Sequence, residues 1–313
     1  MRKPFSMKLA TVNLLKFTLC VVIYTAVFMI VMAFIPFSRG FTEIYEKMNE
    51  SQTPASSMVA VLSFIWNCFA AYFIIRHASI GGKKLFVRLL YVMFFVMYFM
   101  PQIWGAESAD VHGVTMLDML LIMIPGLFSL LATIPLMIKF FQNKNAVETV
   151  GERNKLSIKG TAIKIGLGGL VFAGAYIIFL LAVQRNIEEY RMFYADTAWM
   201  QAAHGENFAG LLPLFFSPFF RGVTNGFFVL PLLSMITKNK FMFITAICLV
   251  VIAPGFGLIA PSPLFPDTVR FLLMASMTVV PMLSGIFIGN FMWKKGLNEH
   301  ETDIKKPQFV ITP

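Results

Sequence analysis

Charge is scarce in this sequence. Asp, Glu, Lys and Arg make up 13% of its 313 residues, against ~25% in a soluble globular chain. With 58% hydrophobic residues and a mean hydropathy of +0.73, there is too little polar surface to cover a water-exposed globule. A soluble enzyme or binding domain is excluded as the main fold. Cysteine is nearly absent. Cys20, Cys68 and Cys248 lie in three separate apolar runs without a C-x-x-C pair, which excludes a disulfide framework and a cysteine zinc site and leaves small packing residues. The four histidines (His77, His112, His204, His300) are scattered, with no H-E-x-x-H spacing. Walker A, dinucleotide-binding and G-x-S-x-G sequences are missing too. Glu188-Glu189 with Arg191 lacks the downstream histidine motifs that a paired-glutamate intramembrane protease requires. No metal and no cofactor are expected.

What the chain does have is long apolar runs. A helix crossing a bilayer needs ~20 mostly apolar residues, and eight stretches qualify: about 15–37, 57–76, 86–105, 115–138, 161–184, 211–236, 241–261 and 270–293. The first is longer than the ~7–15 residues of a signal h-region and ends without an A-x-A-like site, so it reads as a retained helix. The expected fold is an all-α, polytopic bundle of about eight transmembrane helices in one membrane domain, 1–313, with a loose tail at 294–313. No other segment is long enough for a separate domain. The longest is Arg185–Gly210, and folding alone below ~40 residues usually needs disulfides or a metal.

The basic residues orient the bundle. If the N-terminus is cytoplasmic, twenty of the 26 Lys and Arg residues fall in cytoplasmic segments and five (Arg39, Lys47, Arg185, Arg191, Arg270) fall outside. Arg221 alone falls well inside a span. A missed or invented helix would scramble this alternation, so both termini are expected inside. The net charge of +10 then marks topology and contact with an anionic leaflet. No aromatic interleaving accompanies it, and nucleic acid is not an expected partner.

Arg221 is the most costly residue of the chain, since arginine at a bilayer centre costs ~2.5–3.5 kcal/mol on insertion scales. Its run, LLPLFFSPFFRGVTNGFFVLPLLSMI, also contains Ser217-Pro218, a helix-start pattern of N-cap and N1 proline. A helix starting there would leave Leu211–Phe216 as an interfacial piece and put Arg221 one turn inside the outer face. Asp118 sits near the outer start of the fourth span, so an Asp118–Arg221 ion pair is expected. Asn225, one turn further in on the same face, would extend the polar site. Simpler accounts exist for each: snorkelling of Arg221 to phosphates, and Asp118 in a first helical turn near headgroup level.

Other features carry weaker expectations. Arg185–Gly210 mixes Ile187, Tyr190, Phe193, Tyr194 and Trp199 with charges, fitting an interfacial amphipathic segment or a lid over an outward cavity. Pro125 and Pro135 should kink the fourth span, and the prolines from Pro254 to Pro266 should break the seventh, with Asp267 capping the eighth. Gly285 and Gly289, and Gly169 with Ala173, mark close crossings within the chain or between copies. The third and seventh spans both end near a proline, and the fourth and eighth both carry one inside. This suggests a 4 + 4 parallel repeat. The leading functional expectation is a permease-like protein of a bacterial cytoplasmic membrane, or the membrane component of a transport system with an ATPase partner. Its outward polar site would be Arg221, Asp118 and Asn225. An intramembrane enzyme acting on lipid or peptide, and a non-catalytic sensor, immunity or assembly protein, are the competing classes.

Overall fold

The computed structural model describes residues 7–43, 46, 54–102, 115–143, 158–195, 200, 211–237, 239–256, 258 and 265–293. The polar tail, the short external loop around Glu107 and Asp110, and Trp199 and His204 lie outside them. Among the described residues every regular element is helical, as expected where apolar sequence leaves the backbone no partner but itself. They are α1 (Met7–Ala33), α2 (Pro54–His77), α3 (Gly82–Phe94, continuing in a π turn, Phe95–Phe99), α4 (Met116–Leu121), α5 (Met123–Phe141) and α6 (Ile158–Ala182). After these come α7 (Glu188–Phe193), α8 (Leu211–Phe228), α9 (Leu232–Met235), α10 (Lys240–Val251), α11 (Ala253–Phe256) and α12 (Asp267–Met292).

Among the described residues, five helical stretches are long and apolar enough to cross a membrane: Ala10–Ala33, Gly82–Gln102, Met116–Phe141, Ile158–Asn186 and Asp267–Met292. Val61–His77 and Lys240–Val251 are shorter apolar helices. This is a helical membrane protein.

Proline explains most interruptions, because it cannot donate to the carbonyl four residues back. Pro125 leaves Leu121 without its helical donor, and α4 gives way to α5 at Ile122. Pro254 does the same to Val250, and α10 breaks at Ile252 before α11. Pro135 and Pro281 stay inside their helices. Three expectations are corrected here. Pro218 does not start a helix: α8 runs unbroken from Leu211 to Phe228 with Pro218 inside. The 211–236 run is instead interrupted at its other end, where Pro231 caps the four-residue α9. Asp267 does not cap α12: Pro266 is the N-cap, and the Asp267 carboxylate accepts from Arg270 Nη2 at 2.7 Å.

The packing order repeats. Counting α3 with its π turn, α4 with α5, α8 with α9 and α10 with α11, the described helices other than α7 fall into eight units, numbered spans one to eight by chain order alone. In the first half, span one packs on two and four, span three on four, and span two on three and four. In the second half, span five packs on six and eight, span seven on eight, and span six on seven and eight. Between the halves, span two meets seven and span three meets six and seven, the pairing that exchange of the halves would preserve. The loops after spans two and six touch at the junction, where Ser79 N–H donates to the Met235 carbonyl at 2.6 Å and Thr237 Oγ1 to Ser79 Oγ at 2.8 Å. Trp66 Nε1 donates across the halves to the Leu249 carbonyl at 2.9 Å.

Glycines allow the closest crossings. A Cβ on Gly222 of α8 would lie 2.5 Å from Phe172 Cβ and 2.8 Å from Gly169 Cα of α6, so these two backbones touch. Gly285 and Gly289 face Ile247, Val251 and Ile244 of α10. Of the two uses foreseen for that pair, the one the structure shows is a crossing within the chain.

Candidate functional site

Asp118 is the N3 residue of α4. Thr115, the N-cap, accepts from Asp118 N–H through Oγ1 at 3.1 Å, while Asp118 Oδ2 accepts from Thr115 N–H at 2.9 Å and Thr115 Oγ1–H at 2.6 Å. This reciprocal capping box satisfies donors that a helix start would otherwise leave open. Ser38, just beyond α1, adds its N–H at 2.8 Å to Oδ1 and its hydroxyl at 2.6 Å to Oδ2. The carboxylate is 1% exposed although Thr115, Met116 and Leu117 beside it are exposed, so it is shielded by a thin layer at the rim of the bundle.

The expected Asp118–Arg221 pair is therefore corrected. Four donors from Ser38 and Thr115 occupy the carboxylate, and Arg221 is not among its partners. Asp118 ties the end of span one to the start of span four. It is a structural clamp.

Arg221 belongs to another corner. It lies half-buried in α8, and its charge acts on Tyr190 and Tyr194. Burial pushes both phenols above the ordinary tyrosine range, their neighbour Tyr176 adds to the rise, and the positive Arg221 opposes it. Tyr190 is 1% exposed although its helix neighbours Glu188, Glu189, Arg191 and Met192 are exposed. The segment after α6 is thus amphipathic, as expected, and its inner face packs with Leu180, Leu214 and Val269. Met200 joins the same cluster.

Asn225 lies one turn from Arg221 on α8, as the spacing predicted. It is 3% exposed, and neither its Oδ1 nor its Nδ2 has a hydrogen-bond partner. The sequence reading missed two more polar side chains of this half. Gln184 begins the single 3₁₀ turn between α6 and α7 and is 0% exposed, with both amide atoms unpartnered. Arg270, near the start of α12, is 5% exposed and pairs with the exposed Asp267. Its guanidinium also lies 5.2 Å from the Phe271 ring centroid. In the sequence Gln184 is the last residue of an apolar span and Arg270 is one of five outer charges. Nothing in their spacing signals burial.

The charge of Arg221, past the middle of α8, thus reaches the phenols of α7, and the unpartnered Asn225 amide lies one turn further along α8. Such a set donates hydrogen bonds and carries positive charge, which suits an anion. No three His, Cys, Asp or Glu residues cluster as metal ligands among the described residues. A groove lined by Met29, Met32, Phe37 and Thr42 at the end of α1 contains none of these side chains. No protein-family model, curated protein or solved structure matches the chain.

Proposed function

We propose that the protein is a permease-like component of a bacterial cytoplasmic membrane, with eight spans and both termini inside, that takes up or presents an anionic cargo at its outer face. The basic residues support the orientation. The observation that carries the reading is the charge of Arg221 acting on the buried Tyr190 and the half-buried Tyr194. A guanidinium that served only to snorkel would face headgroups, not a buried phenol.

Under this topology the ends of α6 and the starts of α8 and α12 share the outer side. Arg221 supplies charge, the phenols supply neutral donors, and Asn225 extends the polar path inward. Asp118 leaves the site, because its carboxylate is occupied. The repeated packing suits transport, since two similar four-helix halves can rock against each other about spans two, three, six and seven. An ATPase subunit meeting the cytoplasmic loops would complete a transport system of the driven kind.

Proteoliposome flux tests this directly, with inorganic phosphate, glycerol 3-phosphate and succinate as probes. One of these anions should cross at a rate abolished by Arg221→Ala and partly kept by Arg221→Lys, with expression unchanged. Flux of none of them, or flux indifferent to Arg221→Ala, would sink the transport reading.

A further inference from the structure

Each half is bound tightly within itself. Among the described residues, every glycine at which an added Cβ would touch another span touches one of its own half: Gly126 faces Tyr98, Gly222 faces Gly169, and Gly289 faces Ile244. Between the halves two other kinds of joint stand out. One is the loop junction, where the Ser79 N–H to Met235 carbonyl bond ties backbone to backbone and Arg88 Nη1 donates to Ser234 Oγ. The other is a pair of flat ring stacks. Phe95 of span three lies on Phe228 of span six, with centroids 4.7 Å apart and planes inclined by 18°. Trp66 of span two lies on Phe256 of span seven at 4.1 Å and 15°. Exchange of the halves relates these two seams.

Both stacks sit where helices give way. Phe95 opens the π turn, so Met100 N–H reaches back five residues to the Phe95 carbonyl. Phe228 is the last residue of α8. The turns after it close over three residues, Leu230 N–H to the Phe227 carbonyl at 3.2 Å and Leu232 N–H to that of Val229 at 3.0 Å. Phe256 lies just past the break at Ile252, and the Leu249 carbonyl that accepts from Trp66 lies just before it. A span bends at least cost at such points. All four rings are half-buried, so they can part without leaving a sealed void. At 1.5 Å per residue, Phe95 is ~20 Å and Trp66 ~17 Å along its helix from the junction.

We propose that the two stacks are latches between the halves and the loop junction is their pivot, so that the structure is the latched state and the halves part on the side away from the junction. Unstacking bends span three at its π turn, span six after Phe228 and span seven at Ile252, a hinge motion of two rigid halves. One ring pair shifts such an equilibrium by about two- to tenfold, enough to hold the halves shut without fixing them. That the open side is the outer face rests on the proposed orientation.

Pulsed EPR on the full chain in nanodiscs tests it, with Cys20, Cys68 and Cys248 replaced by Ala. One pair of spin labels sits at Leu62→Cys and Phe216→Cys, exposed positions beyond the stacks, and another at Val87→Cys and Phe241→Cys, exposed positions near the junction. With all rings in place, the far pair should show a broader distance distribution than the near pair. Phe228→Leu and Trp66→Leu should each enlarge the long-distance population of the far pair by about two- to tenfold. Phe228→Tyr, which keeps the ring, should change it by less than about twofold. Equal widths for the two pairs, or a far population indifferent to both Leu variants, would overturn the latches. A near pair that spreads instead would overturn the pivot. No cargo enters this measurement, so its failure leaves the Arg221 reading standing, and absent anion flux leaves the latches standing.

Discussion

Replacing Asp118 by Ala removes a carboxylate that accepts four hydrogen bonds, at 2.8, 2.6, 2.9 and 2.6 Å. A hydrogen bond to a charged group contributes about 1.5–3 kcal/mol, so the gross loss would be ~6–12 kcal/mol if all four donors stayed unmet. They would not. The shielding layer is thin and Thr115 is exposed, so water can reach the freed donors, and the net loss should be nearer ~2–4 kcal/mol. The clamp makes a sharper claim, because Ser38 and Asp118 are 80 residues apart. In a double-mutant cycle with Ser38→Ala, read by reversible unfolding in mixed detergent micelles, the coupling should be ~1–2 kcal/mol. Anion binding in Asp118→Ala should stay within about twofold of wild type, a difference well under 1 kcal/mol. Additive losses from the two substitutions would refute the clamp. A specific loss of binding with stability unchanged would restore Asp118 to the functional site.

Other outcomes follow from the same structure. Gly222→Ala places a methyl against Phe172 and the Gly169 backbone and should cost ~1–3 kcal/mol by overpacking. Gly174→Ala has open space and should be neutral or stabilising by ~0.5–1 kcal/mol, a contrast that thermal unfolding can read. Asn67 Nδ2 donates to the hydroxyls of Tyr24 at 3.2 Å and Tyr98 at 3.3 Å, so Asn67→Leu should destabilise by ~0.6–1.7 kcal/mol in equilibrium unfolding. Burial raises Tyr190 and Tyr194. An acid whose pKa is higher in the folded state binds its proton more tightly there. The protein should thus hold its stability below pH ~10, the ordinary tyrosine value, and lose it as the pH rises further. Tyr190→Phe and Tyr194→Phe together should flatten that alkaline limb, measured as unfolding temperature against pH.

The sequence spoke plainly about helices and much less about faces. Apolar length marked the helices, five of them long and apolar enough to cross a membrane among the described residues, and proline foretold the breaks at Pro125 and Pro254, because these depend on local backbone chemistry. Pro218 misled for a related reason. The same residue that suits a first turn is also tolerated inside a helix whose neighbours pack it, and α8 lies along α6 through Gly222 and Gly169. Arg221 was legible by its cost alone, but its surroundings were not. Depth along two helices put Asp118 at the same level, yet level says nothing about which corner of the bundle a residue occupies. Ser38 could not be foreseen as the partner of Asp118, since 80 residues separate them. Gln184 and Arg270 sit at span ends, where polar residues are ordinary. Only the fold shows that they are buried. The repeat was faint in sequence because it survives in packing order, which many side-chain sets can satisfy.

The most direct measurement is a cryo-EM map of the protein in phosphatidylglycerol nanodiscs with glycerol 3-phosphate added. The account predicts density of a bound anion within hydrogen-bonding distance of Arg221, on the side of Tyr190 and Tyr194. An Arg221 guanidinium extended to bulk lipid phosphates, with no density beside it, would contradict it.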